Sequence, residues 1–334
     1  MFKLERTLKV SCEASFQRAG EKLCEFLKLF YGVDAEMVDG KSDITIKKCQ
    51  CESEHYNLLV QDDGIEIAAG DLKGAIYGVS TLMQIVDNKT LEVENTEICD
   101  KPYKEKRGMH MYLPARENIE TYKKILDAMV FFKMNTVIIE VGGAMEYERH
   151  PEINEKWEWF CEFADFKFPG LNRSRSIQWS DTYWKDSIHT EHAGASYLTK
   201  KEVRGIVEYA KGIGLNVIPE IQGLSHSYYL TLSHREIAEL QDDMFPDSYC
   251  PLNDKSYELY FEVAEEVLEV FEPSIVSVGH DEIRVLGECP KCREKTTHEL
   301  LAIELNRLHE FYSARGIRMM MWGELLLHYE TYKG

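Results

Sequence analysis

The sequence predicts an α/β fold: a (β/α)8-type barrel, incomplete in this chain, preceded by a small α/β accessory domain. Apolar strands and amphipathic helices alternate from residue 107 onward, which is typical of a parallel sheet with right-handed crossovers. Four of the five strands end in a carboxylate, and the carboxyl ends of barrel strands are where active sites are built. An open doubly wound sheet is the alternative. These strand-end carboxylates are Glu140, Glu220, the pair Asp281 and Glu282, and Glu324.

Composition argues against several classes of partner. The 334 residues carry a formal net charge of −19 and a pI near 5.1, which argues against nucleic-acid and anionic-membrane partners. No apolar run approaches the length of a membrane span. The first residues lack the apolar core of a signal peptide, so we expect a cytoplasmic protein. The nine cysteines are odd in number and scattered, which favours reduced thiols, two or more of them on a metal.

Residues 1–100 are predicted to form the accessory domain. Apolar residues recur at helical spacing from Phe16 to Phe30, and Asp62-Asp63-Gly64 marks a hairpin turn. No cluster of histidines and carboxylates stands out, so we expect a structural role. The polar stretch 88–106 is predicted to be a linker. The other predicted elements are strands over 43–46, 56–60 and 65–68 and a helix over 74–85.

Residues 107–334 are predicted to form the barrel. Eight strands with their helices typically need about 250 residues, whereas 228 remain here (334 − 106). We therefore expect the last strands to be missing and the chain to be a fragment. A long aromatic-rich loop is predicted after the second strand, and Thr199 with Glu202 predicts a helix capping box. The predicted strands are 107–113, 136–141, 216–221, 274–279 and 317–322, and the helices are 119–133, 199–211, 256–271 and 297–315.

The adjacent carboxylates Asp281 and Glu282 are the leading catalytic candidates. They follow a continuous apolar run, as expected of a strand buried on both faces. Glycosidases use one protonated carboxylic acid and one ionised carboxylate, and this adjacent pair supplies two such groups. An exposed strand-end pair or a helix N-cap is the alternative. His226 follows the strand that carries Glu220, so we expect it at the same edge of the sheet, although a single histidine is often structural.

Several short segments occur in a fixed order along the chain. They are Arg107-Gly108, Lys133-Met134-Asn135, Ile218-Pro219-Glu220-Ile221 with His226, Leu252 after Cys250-Pro251, Gly279-His280-Asp281-Glu282 and Trp322-Gly323-Glu324. This order resembles glycoside hydrolase family 20, the β-N-acetylhexosaminidases. The resemblance covers nearly the whole chain, because residues 56–85 resemble that family's accessory domain. The paired carboxylates and the Ile-Pro-Glu-Ile strand are its most specific parts.

The resemblance implies a substrate-assisted retaining mechanism that requires no cofactor. The 2-acetamido oxygen of an N-acetylhexosamine glycoside would attack the anomeric carbon, oriented and charge-stabilised by Asp281. Glu282 would be the general acid and then the general base. Arg107 would bind sugar hydroxyls, and Trp322 would line the acetamido pocket. Glu140, His226 and Glu324 complete the predicted substrate-binding set.

The sequence departs from the family pattern at several positions. His280 stands where a glycine is usual before the Asp-Glu pair, and Gln222 stands where an acidic residue is expected. Tyr112 takes the place of an aspartate on the first strand. Glu140 and Gly143 replace a histidine and an aspartate at the end of the second strand.

A zinc site is predicted beside the catalytic pair. Cys289-Pro290-Lys291-Cys292 is a CxxC knuckle, which supplies half of a tetrahedral site. His280 and Cys250 would complete a Cys₃His set. A closed site of four ligands would brace the catalytic loop, whereas an open site could touch the substrate. The alternative is a loop of free thiols.

Two other functions remain open at this point. One is a catalytically silent sugar-binding protein, because strands and usual site residues are missing. The other is a barrel glycosidase with a conventional pair, Glu282 with Glu220 or with Glu324, which would lie about 5 Å apart in a retaining enzyme.

Overall fold

The computed structural model describes residues 1–167, 196–283 and 285–323, without the side chains of residues 162–167. The chain divides into two compact units. The amino-terminal unit comprises Met1–Gly108, Lys123–Thr136 and Glu208–Asn216, and the second unit comprises Met109–Tyr122, Val137–Val207 and Val217–Gly334.

The elements are numbered here in chain order within the described residues. The strands are β1 (Phe2–Lys3), β2 (Thr7–Cys12), β3 (Asp34–Met37), β4 (Ile44–Lys48), β5 (Tyr56–Gln61), β6 (Gly64–Ala69), β7 (Glu92–Val93), β8 (Thr96–Asp100), β9 (Gly108–Tyr112), β10 (Thr136–Glu140), β11 (Asn216–Gly223), β12 (Ile275–Gly279) and β13 (Arg318–Met320). The α-helices are α1 (Gln17–Tyr31), α2 (Leu72–Ile85), α3 (Ile119–Phe131), α4 (Pro151–Lys167), α5 (Lys200–Gly212), α6 (Tyr228–Thr231), α7 (Asp254–Phe271) and α8 (Thr297–Ser313).

A six-stranded mixed sheet forms the core of the amino-terminal unit, in the order β3-β2-β4-β6-β5-β8. Strands β2, β3, β4 and β6 run parallel, and β5 is antiparallel to both of its neighbours. Alternate side chains are buried, as the period of two along a strand requires. Ile44 and Ile46, for example, are fully buried on β4. Helices α1 and α2 pack against each other and against this sheet.

The predicted hairpin and two helices of this unit are confirmed, with shifted ends. Helix α1 ends at Gly32, whose φ of 67° is the left-handed conformation that glycine adopts easily. Helix α2 begins after Asp71, whose carboxylate accepts the backbone N–H of Gly74. The predicted linker is wrong in part, because β8 lies within it and extends the sheet beyond β5.

The second unit is built on a five-stranded sheet in the order β13-β12-β11-β10-β9. Strand β11 pairs with β12, and β12 pairs with β13, in parallel. Val141 donates its backbone N–H to Glu220, so the ends of β10 and β11 meet. The alternation of strand and helix and the sequential strand order confirm the predicted barrel-type α/β fold, represented by five strands among the described residues.

Helices α3, α5, α7 and α8 agree with the predicted pattern, whereas α4, in the aromatic-rich stretch, and the short α6 were not predicted. Part of that stretch forms helix α4, in which the side chains of Trp157 and Phe160 are buried. The prediction of a loop was wrong there, because burial of these apolar side chains stabilises the helix. The predicted capping box before α5 is confirmed, since Thr199 and Glu202 bond each other's backbone N–H. A second capping box at Thr296 begins α8.

Two further findings bear on the expectations from composition. Among the described residues no helix is both long and apolar enough to cross a membrane. Cys49 and Cys51 are joined by a disulfide with their Cα atoms 5.5 Å apart, a usual separation for such a bond. The expectation of reduced thiols is therefore wrong for this pair, which a short turn after β4 brings together.

Candidate active site

The ends of β9 to β12 bring four polar side chains together inside the second unit. His110 Nε2 lies 2.7 Å from Glu220 Oε1 and 3.6 Å from Glu140 Oε2. Glu220 Oε2 also accepts the Ser277 hydroxyl at 2.5 Å. Neighbouring parallel strands place equivalent residues side by side, and Glu220 is in register with Ser277. The catalytic candidates follow directly from these strand ends.

The backbone after β12 is left-handed at three positions. Gly279, His280 and Glu282 have φ values of 67°, 66° and 48°. A Cβ atom on Gly279 would lie 1.7 Å from the side-chain oxygen of Gln222, so only glycine fits there. This turn buries His280 completely, whereas the side chains of Asp281 and Glu282 are 22% and 37% exposed.

The carboxylate of Asp281 is held between two polar side chains. Gln222 Nε2 donates to Asp281 Oδ1 at 3.2 Å, and His226 Nε2 lies 3.4 Å from Asp281 Oδ2. The Ser225 hydroxyl donates to the backbone oxygen of Asp281 at 2.7 Å. Both oxygens of this carboxylate are thus oriented, although the side chain still reaches solvent.

His226 lies between two carboxylates. Its backbone N–H donates to Asp247 Oδ1, and its Nδ1 lies 3.6 Å from the same oxygen. Burial alone would lower the pKa of His226, but the close contact with Asp281 and the charges of Asp247, Asp281 and Glu140 raise it to about 10. His226 is therefore an imidazolium at neutral pH and places a positive charge beside Asp281.

Glu140 is the carboxyl group with the most unusual protonation. Burial and the charge of nearby Glu220 raise the pKa of Glu140 to about 8, although His226 and His110 oppose the shift. Its Oε2 atom has no hydrogen-bond partner among the described residues. Burial would lower the pKa of His110, but its bond to Glu220 and the charges around it raise it above the usual value. The cluster therefore holds a carboxyl group that stays protonated at neutral pH, beside a histidine whose pKa its acidic neighbours raise.

Trp322 and Glu282 form the more open side of this group. The Trp322 ring lies 5.5 Å from the His110 ring in an edge-on arrangement, and its backbone N–H donates to Gly279. Glu282 Oε2 lies 3.8 Å from His226 Nε2. We call this set the carboxylate site; its members are His110, Glu140, Glu220, Gln222, His226, Asp281, Glu282 and Trp322.

The structure does not bring Arg107 to the carboxylate site. Its five N–H donors all have acceptors elsewhere, one at Nε and two at each terminal nitrogen. Arg107 precedes β9, at the amino end of the strand, whereas the site is built at the carboxyl ends. Its acceptors are Glu54, Tyr77 and the backbone oxygens of Lys104, Glu105 and Lys133.

The remaining predicted binding residue, Glu324, lies outside the described residues. His280 is described, but its ring nitrogens do not belong to the group that the other predicted metal ligands form. Its Nδ1 contacts the backbone oxygen of Val278 at 2.7 Å, and its Nε2 lies 3.8 Å from Glu304. Burial lowers the pKa of His280 to about 4, so it is neutral. The predicted Cys₃His set is therefore wrong in its histidine.

The three predicted cysteines do come together, with Glu239 as the fourth group. Cys250 Sγ lies 3.6 Å from Cys289 Sγ and 3.5 Å from Cys292 Sγ. The ligand atoms of these cysteines and of Glu239 lie within 4.8 Å of one another. Burial raises the pKa of the Cys250 thiol to about 12. We call Glu239, Cys250, Cys289 and Cys292 the thiol cluster.

Sequence reasoning missed His110 and Glu239. His110 lies within a strand predicted from its ends, and side-chain alternation puts it on the same face as Tyr112. The available signal was that His110 lies on a strand whose carboxyl end reaches the edge of the sheet where the strand-end carboxylates gather. Glu239 lies 11 residues before Cys250 and 50 before Cys289 in the sequence, so no motif spacing connects it to them.

Comparison with known families identifies the chain. The catalytic domain of glycosyl hydrolase family 20 matches residues 107–333, and domain 2 of that family matches residues 1–101. The chain belongs to glycosyl hydrolase family 20. The resemblance seen in the motifs is thereby confirmed over nearly the whole sequence.

Curated relatives of this family 20 chain are beta-hexosaminidases. The enzyme of Akkermansia muciniphila is 28% identical over 279 residues, which cover 78% of this chain and 52% of that protein. The enzyme of Porphyromonas gingivalis is 25% identical over 308 residues, which cover 82% of this chain and 36% of that protein. The human beta-hexosaminidase subunit beta is 24% identical over 276 residues, covering 78% and 43%. The chain thus spans about half or less of the length of these relatives.

Solved structures share the fold. The beta-N-acetylhexosaminidase of Bacteroides fragilis superposes with a TM-score of 0.73 at 21% identity, covering 97% of this chain and 64% of that one. A mutant Streptomyces plicatus beta-hexosaminidase in complex with its product GlcNAc gives 0.75 at 18% identity, covering 97% and 63%. A Vibrio harveyi exo beta-N-acetylglucosaminidase bound to N-acetylglucosamine gives 0.75 at 21% identity, covering 97% and 52%.

Proposed function

We propose that this family 20 chain is a β-N-acetylhexosaminidase that releases β-linked N-acetylhexosamine by substrate-assisted retaining catalysis. The observation that carries the proposal is the arrangement at the end of β12, where oriented Asp281 stands beside the more exposed Glu282. The two carboxylates differ in surroundings, as two different tasks require. The names of the curated relatives support the same substrate class.

Asp281 is proposed to orient the 2-acetamido group and to stabilise the charge that develops on it. The acetamido oxygen attacks the anomeric carbon, the bond to the leaving group breaks, and an oxazolinium-like cation forms. A fixed anion beside that cation lowers the barrier. Gln222 and His226 hold the Asp281 oxygens in place before the reaction, so little reorganisation is needed.

Glu282 is proposed to protonate the departing glycosidic oxygen and then to take a proton from the attacking water. It is the most exposed carboxylate of the carboxylate site, with 37% of its side chain accessible. A leaving group of variable size must extend toward solvent, so the acid has to be reachable from that side.

Glu140 and Trp322 are proposed to bind the sugar. The neutral carboxyl of Glu140 can donate a hydrogen bond through its unsatisfied oxygen to a sugar hydroxyl. Trp322 is 36% exposed and offers an apolar ring face beside His110. The assignments of Arg107 and Glu324 to the sugar rest on the motif resemblance alone.

A conventional carboxylate pair of Glu282 with Glu220 has less support. Glu220 is fully buried and accepts hydrogen bonds from His110, Gln222 and Ser277. A nucleophile must reach the anomeric carbon with a free oxygen, and both Glu220 oxygens are occupied.

Two chromogenic substrates test the proposal on the 334-residue chain. We expect hydrolysis of 4-nitrophenyl N-acetyl-β-glucosaminide and no measurable hydrolysis of 4-nitrophenyl β-glucoside. Comparable hydrolysis of both would contradict substrate assistance and favour the conventional pair. Binding of N-acetylglucosamine without turnover of either substrate would favour the silent sugar-binding alternative.

We also propose a cytoplasmic location. The three thiols of the thiol cluster form no disulfide, as expected under reducing conditions, whereas the Cys49–Cys51 disulfide argues in the other direction. Cell fractionation with an antibody against the chain tests this, and recovery in a secreted fraction would contradict it.

A further inference from the structure

We propose that the thiol cluster is a structural zinc site with the ligands Glu239, Cys250, Cys289 and Cys292. This goes beyond the proposed glycosidase function, which requires no metal. The site would fasten the segment after β11 to the segment after β12, and these two segments carry His226 and the catalytic pair.

The sulfur separations fit a metal better than a disulfide. Zinc–sulfur bonds of about 2.3 Å in a tetrahedral site place two sulfurs about 3.8 Å apart, whereas a disulfide requires about 2.05 Å. Cys250 Sγ lies 3.6 Å from Cys289 Sγ and 3.5 Å from Cys292 Sγ. A disulfide would also use two of the three thiols and leave the third without a role.

The carboxylate of Glu239 provides a second observation in favour of a metal, independent of the sulfur separations. Its Oε1 accepts the backbone N–H groups of Glu288 and Cys289 at 2.8 and 3.1 Å. Its Oε2 is buried, belongs to a residue that is 2% exposed, and has no hydrogen-bond partner among the described residues. A buried carboxylate oxygen without a partner is costly. Coordination of a cation shared with the thiols would satisfy it.

The backbone is arranged as a metal-binding knuckle. The Cys292 N–H points to Cys289 Sγ at 3.4 Å and to the Cys289 backbone oxygen at 3.1 Å. Such a tight turn holds both CxxC sulfurs on one side. Hydrogen bonds to thiolate sulfurs are the outer contacts that stabilise a metal site.

The opposite half of the site is equally fixed. Ala238 and Tyr249 form an isolated antiparallel bridge, and Glu239 bonds Ser248 across it. Cys250 donates its backbone N–H to the backbone oxygen of Ile237. These bonds hold Glu239 and Cys250 side by side on the two arms of one loop. Leu300 is buried against Cys250 and Cys292 and shields them on the inner side.

Access and charge also suit a divalent cation. A pocket of about 800 Å³ lined by Glu239, Cys250 and Cys289 opens beside the cluster, so a metal ion has a route of entry. Binding Zn²⁺ displaces the thiol protons to solvent, and no redox partner is required. Zinc binds thiolate sulfur and can take a carboxylate oxygen as a further ligand, whereas calcium and magnesium would require oxygens throughout.

Metal analysis of the chain purified without added metal tests the assignment. We expect about one zinc per chain, and less than a fifth of that in Cys289→Ser and Cys250→Ser. Replacement by Co²⁺ should give the sulfur-to-cobalt charge-transfer bands of a tetrahedral thiolate site. Cys24→Ser, a partly buried thiol in the other unit, is the control and should keep its zinc.

Two milder variants keep the test decisive if a cysteine variant fails to fold. Glu239→Gln retains an Oε1 acceptor for the backbone and should weaken zinc binding by at least about tenfold in a competition with a chelator. His280→Gln should leave the zinc content unchanged, because His280 lies outside the cluster. Wild-type chain without zinc, or with a Cys250–Cys292 disulfide in thiol titration, would overturn the proposal. So would zinc lost from His280→Gln and kept by Glu239→Gln.

Discussion

Two polar clusters of this chain use a carboxylate and a cation in contrasting ways. In the amino-terminal unit, Arg107 donates all five of its N–H groups, and Glu54 accepts from both Arg107 and Asn135. In the carboxylate site, Asp281 faces the imidazolium of His226, but Glu140 Oε2 and Gln222 Oε1 have no hydrogen-bond partner among the described residues. We call the first group, Arg107, Glu54, Tyr77 and Asn135, the Arg107 cluster.

This difference in hydrogen bonding distinguishes a structural ion pair from a site that binds a ligand. A saturated cluster has already satisfied its charges, so a ligand would have to break existing bonds. An unsaturated buried group costs folding free energy that a bound substrate can recover. Variants in the two clusters should therefore affect different measurements.

The largest effect is expected for Asp281→Asn. This change removes the anion beside the developing cation, so kcat on the N-acetylglucosaminide should fall by about 10³. Added azide should rescue the rate poorly, because the nucleophile belongs to the substrate. Asp63→Asn, at an exposed turn, is the matched control and should keep full activity. Efficient azide rescue would indicate an enzyme nucleophile instead.

Glu282→Gln should have an effect that depends on the leaving group. Loss of a general acid costs about 10² to 10⁴ where protonation is needed, and much less where the leaving group departs easily as an anion. We expect the largest loss with an alkyl glycoside and the smallest with a dinitrophenyl glycoside. Glu94→Gln, an exposed position, is the control. An equal loss across the series would argue against the acid role.

Glu140→Gln should change how stability depends on pH. The folded-state pKa of Glu140 is raised to about 8, from about 4.5 when unfolded. The native state therefore binds this proton more tightly, and stability falls as pH rises from 4.5 through 8. The variant cannot ionise and should lose less stability between pH 5 and pH 8.5, by about 4 kcal/mol. Urea unfolding at pH 5 and pH 8.5 measures the difference, and parallel curves would contradict it.

The smallest catalytic effect is expected for Arg107→Gln. Breaking its contact with Glu54 should lower the free energy of unfolding by about 1–3 kcal/mol, while KM should change less than about threefold. Glu54→Gln is a matched partner variant and should reproduce the stability loss. A large rise of KM in Arg107→Gln alone would restore the sugar-binding role that the motif resemblance implies.

The sequence predicted the elements and the catalytic edge because these depend on local patterns. Continuous apolar runs that end in carboxylates located Glu140, Glu220 and Asp281, and parallel strands bring such ends together. The predicted cap at Thr199 marks a helix start that the structure has.

The parts that could not be predicted depend on contacts between distant residues. Arg107 was assigned to the sugar because its motif matches, but its direction is decided by Glu54 and Tyr77, which no motif connects to it. His280 was assigned to a metal by proximity in sequence, and the left-handed turn at Gly279 and His280 sends it into the interior instead. Glu239 is the fourth group of the thiol cluster instead of His280, and its spacing from the cysteines in the sequence does not reveal this.

The central claim is that the substrate's own acetamido oxygen is the nucleophile, and N-acyl substitution tests it most directly. Rates should be measured for 4-nitrophenyl glucosaminides carrying acetyl, fluoroacetyl, difluoroacetyl and trifluoroacetyl groups. Each fluorine lowers the nucleophilicity of the acyl oxygen, so kcat/KM should fall steadily and by more than about tenfold overall, which is about 1.4 kcal/mol of transition-state stabilisation. A rate that is insensitive to fluorination would contradict the mechanism.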